Sequence, residues 1–386
     1  MRILHCCLAQ FYIDNYGYQE NILPRMHKLQ GHEVMILAST ETYVDKIHLG
    51  YLEPSEYMNE DGIPVHRIPY RKMFSQKLSI KLRYYKGVYE ELERFKPDFI
   101  FLHDLQFMSI KDVARYLNKH PDVKINVDCH ADFRNSARTF ISKNVLHGIL
   151  YKHCAKVIMP YVGHFYGTLP ARVEFLKEMY GTPQDKTELL AMGADDQYVK
   201  NAKETNQREF LRKKFNISGD CFLIVSGGKF DSAKKWILNV MEAVKNIAKE
   251  KDVKMLVFGS VMENNGFKNE FDKYCDGKVV QYVGWIQGNE SYNYFEASDL
   301  VIFAGLHSVL WEQAVGQGKP CIFKELEGFK HIDLDGNCKF LKVASKEEIE
   351  KTIIGCISDY PKMLKVAQEK GLKAFSYAEI SKKALL

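Results

Sequence analysis

Short apolar runs alternate with helical patterns along nearly the whole chain, and that alternation constrains the fold more than any other feature. In the first half the runs are "RILHCCLA", "HEVMILAS", "DFIFLH", "KINVDCH", "KVIMP" and "ELLAMG"; in the second they are "CFLIVSGG", "KMLVFGS", "VQYVGW", "DLVIFAG" and "PCIFK". Short runs of this kind separated by amphipathic stretches predict parallel strands joined by helices, the α/β class. Two such sets in tandem predict two Rossmann-like domains, and 386 residues, 46% of them hydrophobic, suffice for two cores. The polar, charge-rich stretch at residues 196–218 is the expected boundary, giving a first domain over 1–196 and a second over 218–364. There is no short-period repeat or low-complexity tract, which sets solenoids aside.

Nine cysteines lie scattered, without a C-x-x-C pair and mostly within apolar runs, so they read as buried thiols of a reducing compartment. The opening "MRILHCCLAQFYIDNYG" reads as a first strand rather than a signal peptide, because polar residues follow the apolar run at once and no small-residue cleavage site is visible. No stretch nears the ~18 apolar residues of a membrane span. The expected location is cytoplasmic, with peripheral attachment at the inner face of a membrane. The net charge of +5 is mild, so the distribution matters more. Residues 66–86, "HRIPYRKMFSQKLSIKLRYYK", interleave Arg67, Arg71, Lys72, Lys77, Lys81, Arg83 and Lys86 with aromatic and aliphatic side chains, and no acid occurs between Asp61 and Glu90. Such a segment suits an anionic membrane surface; a solvated helix face is the plain alternative, and no nucleic-acid partner is expected.

In doubly wound sheets ligands gather where strands end, so the residues just after each strand carry most weight. "SGGKFDSAKKW" follows the first strand of the second half, with Gly227 and Gly228 allowing a close turn and Lys229, Lys234 and Lys235 leading into a helix. Free N–H groups and positive charge converging there suit a diphosphate, although the spacing is not that of a Walker loop. Only one of the adjacent Lys234 and Lys235 can point inward, and a surface lysine cluster is the competing reading. "DLD" at Asp333–Asp335 has the form of a metal-binding D-x-D, but in the turn-like "DLDGN" loop carboxylates are ordinary, so no metal is expected. G-x-S-x-G, H-E-x-x-H and G-x-G-x-x-G are all missing, which argues against a serine hydrolase, a zinc protease and a dinucleotide enzyme.

"VQYVGWIQGNESYNYFEASDLVIFAGLHSVLWEQAVGQGKPCIF" runs strand, turn, helix, strand, turn, helix, strand. It resembles the nucleotide-sugar-binding domain of the large retaining glycosyltransferase family with the GT-B fold (glycosyltransferase family 4, or glycosyl transferases group 1). "GYQENILPRMHKLQGHEVMIL", "LLAMGADDQYV" and "FSYAEISKKAL" are similar to that family's glycine-containing first loop, its crossing segment and its terminal helix. The resemblance implies two Rossmann-like domains facing a central cleft, with 365–386 returning to the first. Carried over by position, Glu312 matches the second Glu of the Glu-x7-Glu motif, which holds the ribose hydroxyls. Lys229 and Lys235, with Lys234 as the alternative, match the cations on the diphosphate. Gly284, Trp285 and Ile286 match the base-binding turn, His130 the histidine near the transferred sugar, and Gly17 the backbone approach to the diphosphate. The neighbours Gln19 and Glu20 read as helix-capping residues. The motif's first Glu falls on Ala304, so Gly305, His307 and Ser308 are left to meet the donor sugar. The implied reaction is transfer of a sugar, UDP-linked, to a glycan or lipid-linked acceptor of a cell-surface polysaccharide pathway, with retention and with neither cofactor nor metal. A GT-B nucleotide-sugar epimerase and a non-catalytic GT-B subunit are the alternatives.

Overall fold

The computed structural model describes residues 1–44, 48–71, 75–231, 235–263 and 266–386. It divides into two units, Met1–Ala191 with Ile380–Leu386, and Met192–Glu379. Strands of the first unit are β1 (Arg2–Cys7), β2 (Glu33–Ser39), β3 (Glu41–Tyr43), β4 (Leu49–Tyr51), β5 (Ser55–Met58), β6 (Pro64–Ile68), β7 (Phe99–His103), β8 (Lys124–Cys129), β9 (Phe165–Gly167) and β10 (Thr187–Leu189). Eight of them form one sheet in the order β10-β9-β8-β7-β1-β2-β6-β5, and β3 and β4 make a separate hairpin. Pairing in the large sheet is parallel except between β5 and β6. At its centre Ile3 faces Val34 on one side and Phe99 on the other. Helices cover both faces, so β1 and β7 are apolar at nearly every position.

The second unit holds β11 (Phe222–Phe230), β12 (Val253–Val261), β13 (Val280–Gly284), β14 (Leu300–Phe303), β15 (Cys321–Lys324) and β16 (Cys338–Leu341), in the order β13-β12-β11-β14-β15-β16 and all parallel. In each unit the strand order reverses once, between β1 and β7 in the first and between β11 and β14 in the second. Ligand crevices form outside the carboxyl ends at such a reversal.

Several expectations need correction. "KVIMP" is not a strand; Lys152–Ile158 is helical, with Cys154, Ala155 and Ile158 buried at helical spacing, and the strand is the next apolar run, Phe165–Gly167. Residues 196–218 are not a sparse linker. Helices Asp196–Glu204 and Gln207–Lys214 belong to the second unit, where Arg208 and Arg212 each place a guanidinium nitrogen 2.6 Å from a different oxygen of Asp299. Of 365–386, only Ile380–Leu386 belong to the first unit. Phe375 stays in the second because it exchanges a backbone hydrogen bond with Ala194 at 2.7 Å. The basic segment is also not one continuous face. His66 and Arg67 lie on β6, His66 against Glu91 at 2.7 Å and Arg67 buried on Asp14 at 3.1 Å. Arg71, Lys77, Lys81 and Lys86 are exposed, while Lys72 lies outside the described residues. All nine cysteines are free and eight are buried.

Candidate functional site

The second unit builds its crevice from the ends of β11, β12 and β13. Gly228 has φ +137°, a region that only glycine enters without strain. β12 passes so close that a Cβ on Gly259 would fall 1.9 Å from the Gly228 carbonyl oxygen. The space kept open is a cavity of about 190 Å³ lined by Gly228, Gly259, Trp285, Ile286, Ser291 and Leu310. Trp285 is 69% exposed at its edge, an apolar ring with no packing role in the core. Lys229 follows Gly228 with its side chain in solvent. Lys234 lies outside the described residues, and Lys235 points to Glu270, with Nζ 3.5 Å from Oε2. Across the strand reversal, Gly305 lies under Trp236, where a Cβ would fall 2.0 Å from the indole nitrogen.

Glu312 is on the short helix Leu310–Gly316 and has no exposed surface. Its Oε1 accepts from His307 Nε2 at 2.8 Å and from His331 Nε2 at 2.9 Å, and its Oε2 lies 3.1 Å from His307 Nε2. Burial opposes ionisation, but the two histidines outweigh it and hold the carboxyl down to about 2. The carboxylate is therefore committed to two imidazoles rather than presented bare. Ser308 Oγ lies 3.4 Å from the Leu310 N–H, at the start of that helix. Ala304, at the position of the motif's first Glu, is 2% exposed and packed in the apolar core of the unit. A carboxylate there would face hydrocarbon, so its absence is built into the packing.

In the first unit the focus is Asp128, near the end of β8 and fully buried. Its Oδ2 accepts from Gln19 Nε2 at 3.0 Å and His103 Nδ1 at 3.1 Å, with His130 Nε2 at 3.4 Å; its Oδ1 accepts from the Asp104 N–H at 3.1 Å. Gln19 is thus a ligand of this carboxylate, not a helix cap. Burial would raise the Asp128 carboxyl, but His130 and His103 prevail and hold it well below the usual range. Burial likewise pushes His130 down, and Asp128 with Glu20, 3.9 Å away, reverses the sign and lifts it to about 9. His130 is therefore a cation at neutral pH. The His130 backbone N–H donates to Asp104 Oδ2 at 3.1 Å, and Asp104 adopts φ +67°, an uncommon conformation for a non-glycine residue. Gly17 is exposed, two residues before the helix Gln19–Leu29, with nothing within 4 Å of where a Cβ would point.

Behind Asp128 runs a chain of buried imidazoles. His103 Nε2 meets His5 Nδ1, His5 Nε2 meets His27 Nδ1, and His27 Nε2 meets the Ser381 carbonyl, each at 2.9 Å. An ionised Asp128 accepts a charge-assisted hydrogen bond from His103 Nδ1. At the other end the Ser381 carbonyl can only accept, so the four contacts need four protons, one more than three neutral rings carry.

Two described clusters have donor atoms close enough for a metal ion, Glu20–His103–His130 and Glu56–His66–Glu91. In the first, both His103 nitrogens are already engaged; in the second, Arg94 grips Glu56 through two bonds at 2.7 and 2.8 Å.

Residues 207–373 match the family model of glycosyl transferases group 1. No curated protein sequence matches the chain. Among solved structures, a glycosyltransferase from Rickettsia africae shares 15% identity with a TM-score of 0.68, covering 100% of this chain and 96% of that one. Anabaena HepE in complex with UDP shares 13% at a TM-score of 0.65, covering 99% and 98%. The UDP-GlcNAc 2-epimerase of Neisseria meningitidis, bound to UDP-GlcNAc, shares 12% at a TM-score of 0.65, also covering 99% and 98%. At these identities the likeness establishes the fold, which is GT-B with two Rossmann-like units. The chain thus carries, over residues 207–373, the sequence pattern of glycosyl transferases group 1, on a fold that is GT-B.

Proposed function

We propose that the chain transfers a sugar from a UDP-linked donor to a glycan or lipid-linked acceptor, with retention, in the synthesis of a cell-surface polysaccharide at the cytoplasmic face of a membrane. The observation that carries this reading is the open cavity at the ends of β11, β12 and β13, lined by Gly228 and an exposed indole, with solvent-exposed Lys229 next along the chain, in the segment that matches the group 1 model. The nucleotide base would stack at Trp285 and Ile286 beside the Gly284 turn. The diphosphate would lie over the Gly228 backbone, with Lys229 supplying charge to the leaving group. Lys235 joins it only by leaving Glu270. His307, backed by Glu312, and Ser308 are the polar groups next to the Gly305 backbone and stand where the motif's first carboxylate is missing. In the first unit, cationic His130 would meet the transferred sugar, with Gly17 near the diphosphate. HepE is a neighbour whose structure holds UDP, and this supports the choice of nucleotide.

A second reading is a nucleotide-sugar epimerase. It is favoured by one observation: two such enzymes match over 99 to 100% of the chain, with TM-scores of 0.65 and 0.64. Incubation of the pure protein with a panel of UDP- and GDP-sugars, with and without lipid-linked acceptors, separates the readings. Nucleotide release that needs acceptor supports transfer, release without acceptor supports epimerisation, and binding without release points to a non-catalytic subunit.

A further inference from the structure

We propose that the helix Ile141–Tyr151, with Phe140 before it, is a docking surface for an anionic lipid bilayer. The helix is wound wide, the Lys152 N–H reaching back to the His147 carbonyl. Its inner side is anchored: His147 is buried with Nδ1 2.7 Å from Tyr180 Oη, Tyr151 is buried, and Leu146 and Leu150 pack on the core. The outer side is apolar and open. Phe140 is 79% exposed, Ile141 66%, Val145 47% and Ile149 68%. Isolated exposed apolar side chains need no explanation, but Ile141, Val145 and Ile149 on consecutive turns of one helix, with Phe140 just before it, do.

The charge around this stripe selects the occupant. Residues 133–173 contain no Asp or Glu, yet hold Arg134, Arg138, Lys143, Lys152, Lys156 and Arg172. Arg138, Lys143 and Lys156 are exposed and Lys152 half-exposed, and none of these four has a carboxylate partner among the described residues. A second copy of the chain seated on the stripe would bring like charges together with no acid in the segment to pair them. An anionic bilayer instead offers hydrocarbon for the stripe and phosphate for its flanks. No helix among the described residues is long and apolar enough to cross a membrane, so this one lies on the surface. Segment 66–86 connects to the next helix, Lys152–Ile158, through Met108, which donates its N–H to the Leu82 carbonyl and has its Sδ 3.6 Å from Cys154 Sγ. This surface gives the membrane location proposed above a definite place, and it does not require that sugar transfer be correct.

The test is co-sedimentation of the full chain with vesicles of phosphatidylcholine alone and with phosphatidylglycerol added. The starting protein should bind only the anionic vesicles. Ile141→Ser/Val145→Ser/Ile149→Ser and, separately, Lys143→Glu/Lys152→Glu/Lys156→Glu should each weaken that binding at least ~10-fold. UDP affinity and melting temperature should stay unchanged, since none of these side chains is in the crevice or the core. In Val145→Trp the fluorescence should shift to the blue on anionic vesicles only. Absence of vesicle binding by the starting protein, equal binding to neutral vesicles, or unchanged binding by either triple variant overturns the proposal. A dimer in light scattering that the serine variant dissociates overturns it in favour of a second copy. Vesicle binding without nucleotide release from any sugar donor supports the surface while removing the transferase reading.

Discussion

His307 Nε2 lies 2.8 Å from Glu312 Oε1, and a second imidazole, that of His331, reaches the same oxygen at 2.9 Å. His331 Nδ1 is buried without a hydrogen-bond partner, so its only described polar anchor is this carboxylate. Glu312→Ala leaves both imidazoles without their acceptor and should destabilise the protein by about 2–4 kcal/mol. If the pair acts at the nucleotide through His307, His307→Ala should weaken UDP binding as much as Glu312→Ala, ~10-fold or more. If Glu312 grips ribose itself after His307 swings away, His307→Ala should bind UDP at least as tightly as the parent. Calorimetric titration of UDP beside a melting curve distinguishes these outcomes, and wild-type affinity in both variants removes the pair from the site.

His130 titrates on the opposite side of neutrality from an ordinary histidine. Its pKa is near 6.5 unfolded and about 9 folded, so the folded protein holds a proton that the unfolded chain releases between those values. The resulting stability is fully present below about 6.5 and is lost as pH rises through about 9. At 1.36 kcal/mol per unit it is worth up to ~3 kcal/mol, and less in practice because the ring is partly open to solvent. Asp128→Asn removes the main counter-charge and should bring the His130 titration down by at least one unit, read by ring NMR. The alkaline limb of the activity profile should move with it. An unmoved limb would show that His130 does not set the rate.

On the acid side the sign reverses. Burial pushes His27 down to about 4 against the partial support of the Ser381 carbonyl, and burial with the neighbouring imidazoles also pushes His5 well down. Between about 6.5 and 4 the unfolded chain takes up protons that the native state refuses, so stability should fall as pH drops through that window, by up to ~3 kcal/mol for His27 alone. In a protein labelled with nitrogen-15 at histidine, His27 should become an imidazolium only near pH 4. An imidazolium at His27 already at pH 7 would contradict this.

How much of this was legible from sequence follows from what each signal measures. The apolar runs placed Trp285 and Gly305 just after β13 and β14, because buried parallel strands announce themselves as apolar runs and the residue after them is then fixed; Gly228, expected after its strand, lies inside β11. "KVIMP" misled for the same reason: a short apolar run has no period long enough to tell a strand from a buried helix turn. Asp128 passed unnoticed inside "KINVDCH", although an acid in an otherwise apolar strand, following "FLHD", was a usable sign. The histidine chain could not be read at all, since His5, His27 and His103 are brought together only by the pairing of β1 with β7 and the packing of the helix Gln19–Leu29. Ile141, Val145 and Ile149 look like core in sequence, and only their exposure separates them from it.

The two arginines on Asp299 give the second unit its own amino-terminal seal. Arg212 Nη1 also donates to the Ser218, Gly219 and Cys221 carbonyls at 3.0 to 3.2 Å, and Asp299 Oδ2 accepts the Leu223 N–H at 2.8 Å. Removing one partner of a buried, hydrogen-bonded ion pair leaves an uncompensated charge. Asp299→Ala should therefore cost about 3–5 kcal/mol, and Asp299→Asn less because an amide oxygen still accepts. Since residues 196–218 belong to this unit, a fragment beginning at Met192 should melt cooperatively, whereas one beginning at Phe222 should not. Equal melting of the two fragments would return the segment to the status of a linker.

If the chain transfers sugar as proposed, metal dependence tests how the leaving diphosphate is neutralised. A magnesium or manganese ion would need open carboxylates near the crevice, but Glu312 is held by two histidines and Glu270 is turned toward Lys235. Among the described residues, Lys229, with the Gly228 backbone, is then the nearby positive group, and Lys235 is a reserve one ion pair away. Activity should survive EDTA. Lys229→Ala should lower kcat by ~10²–10³-fold while UDP affinity falls much less, because charge on the diphosphate grows as the sugar departs. Lys235→Ala should cost less, having first to leave Glu270. Turnover abolished by EDTA and restored by magnesium or manganese would mean that an ion, rather than Lys229, carries the leaving group.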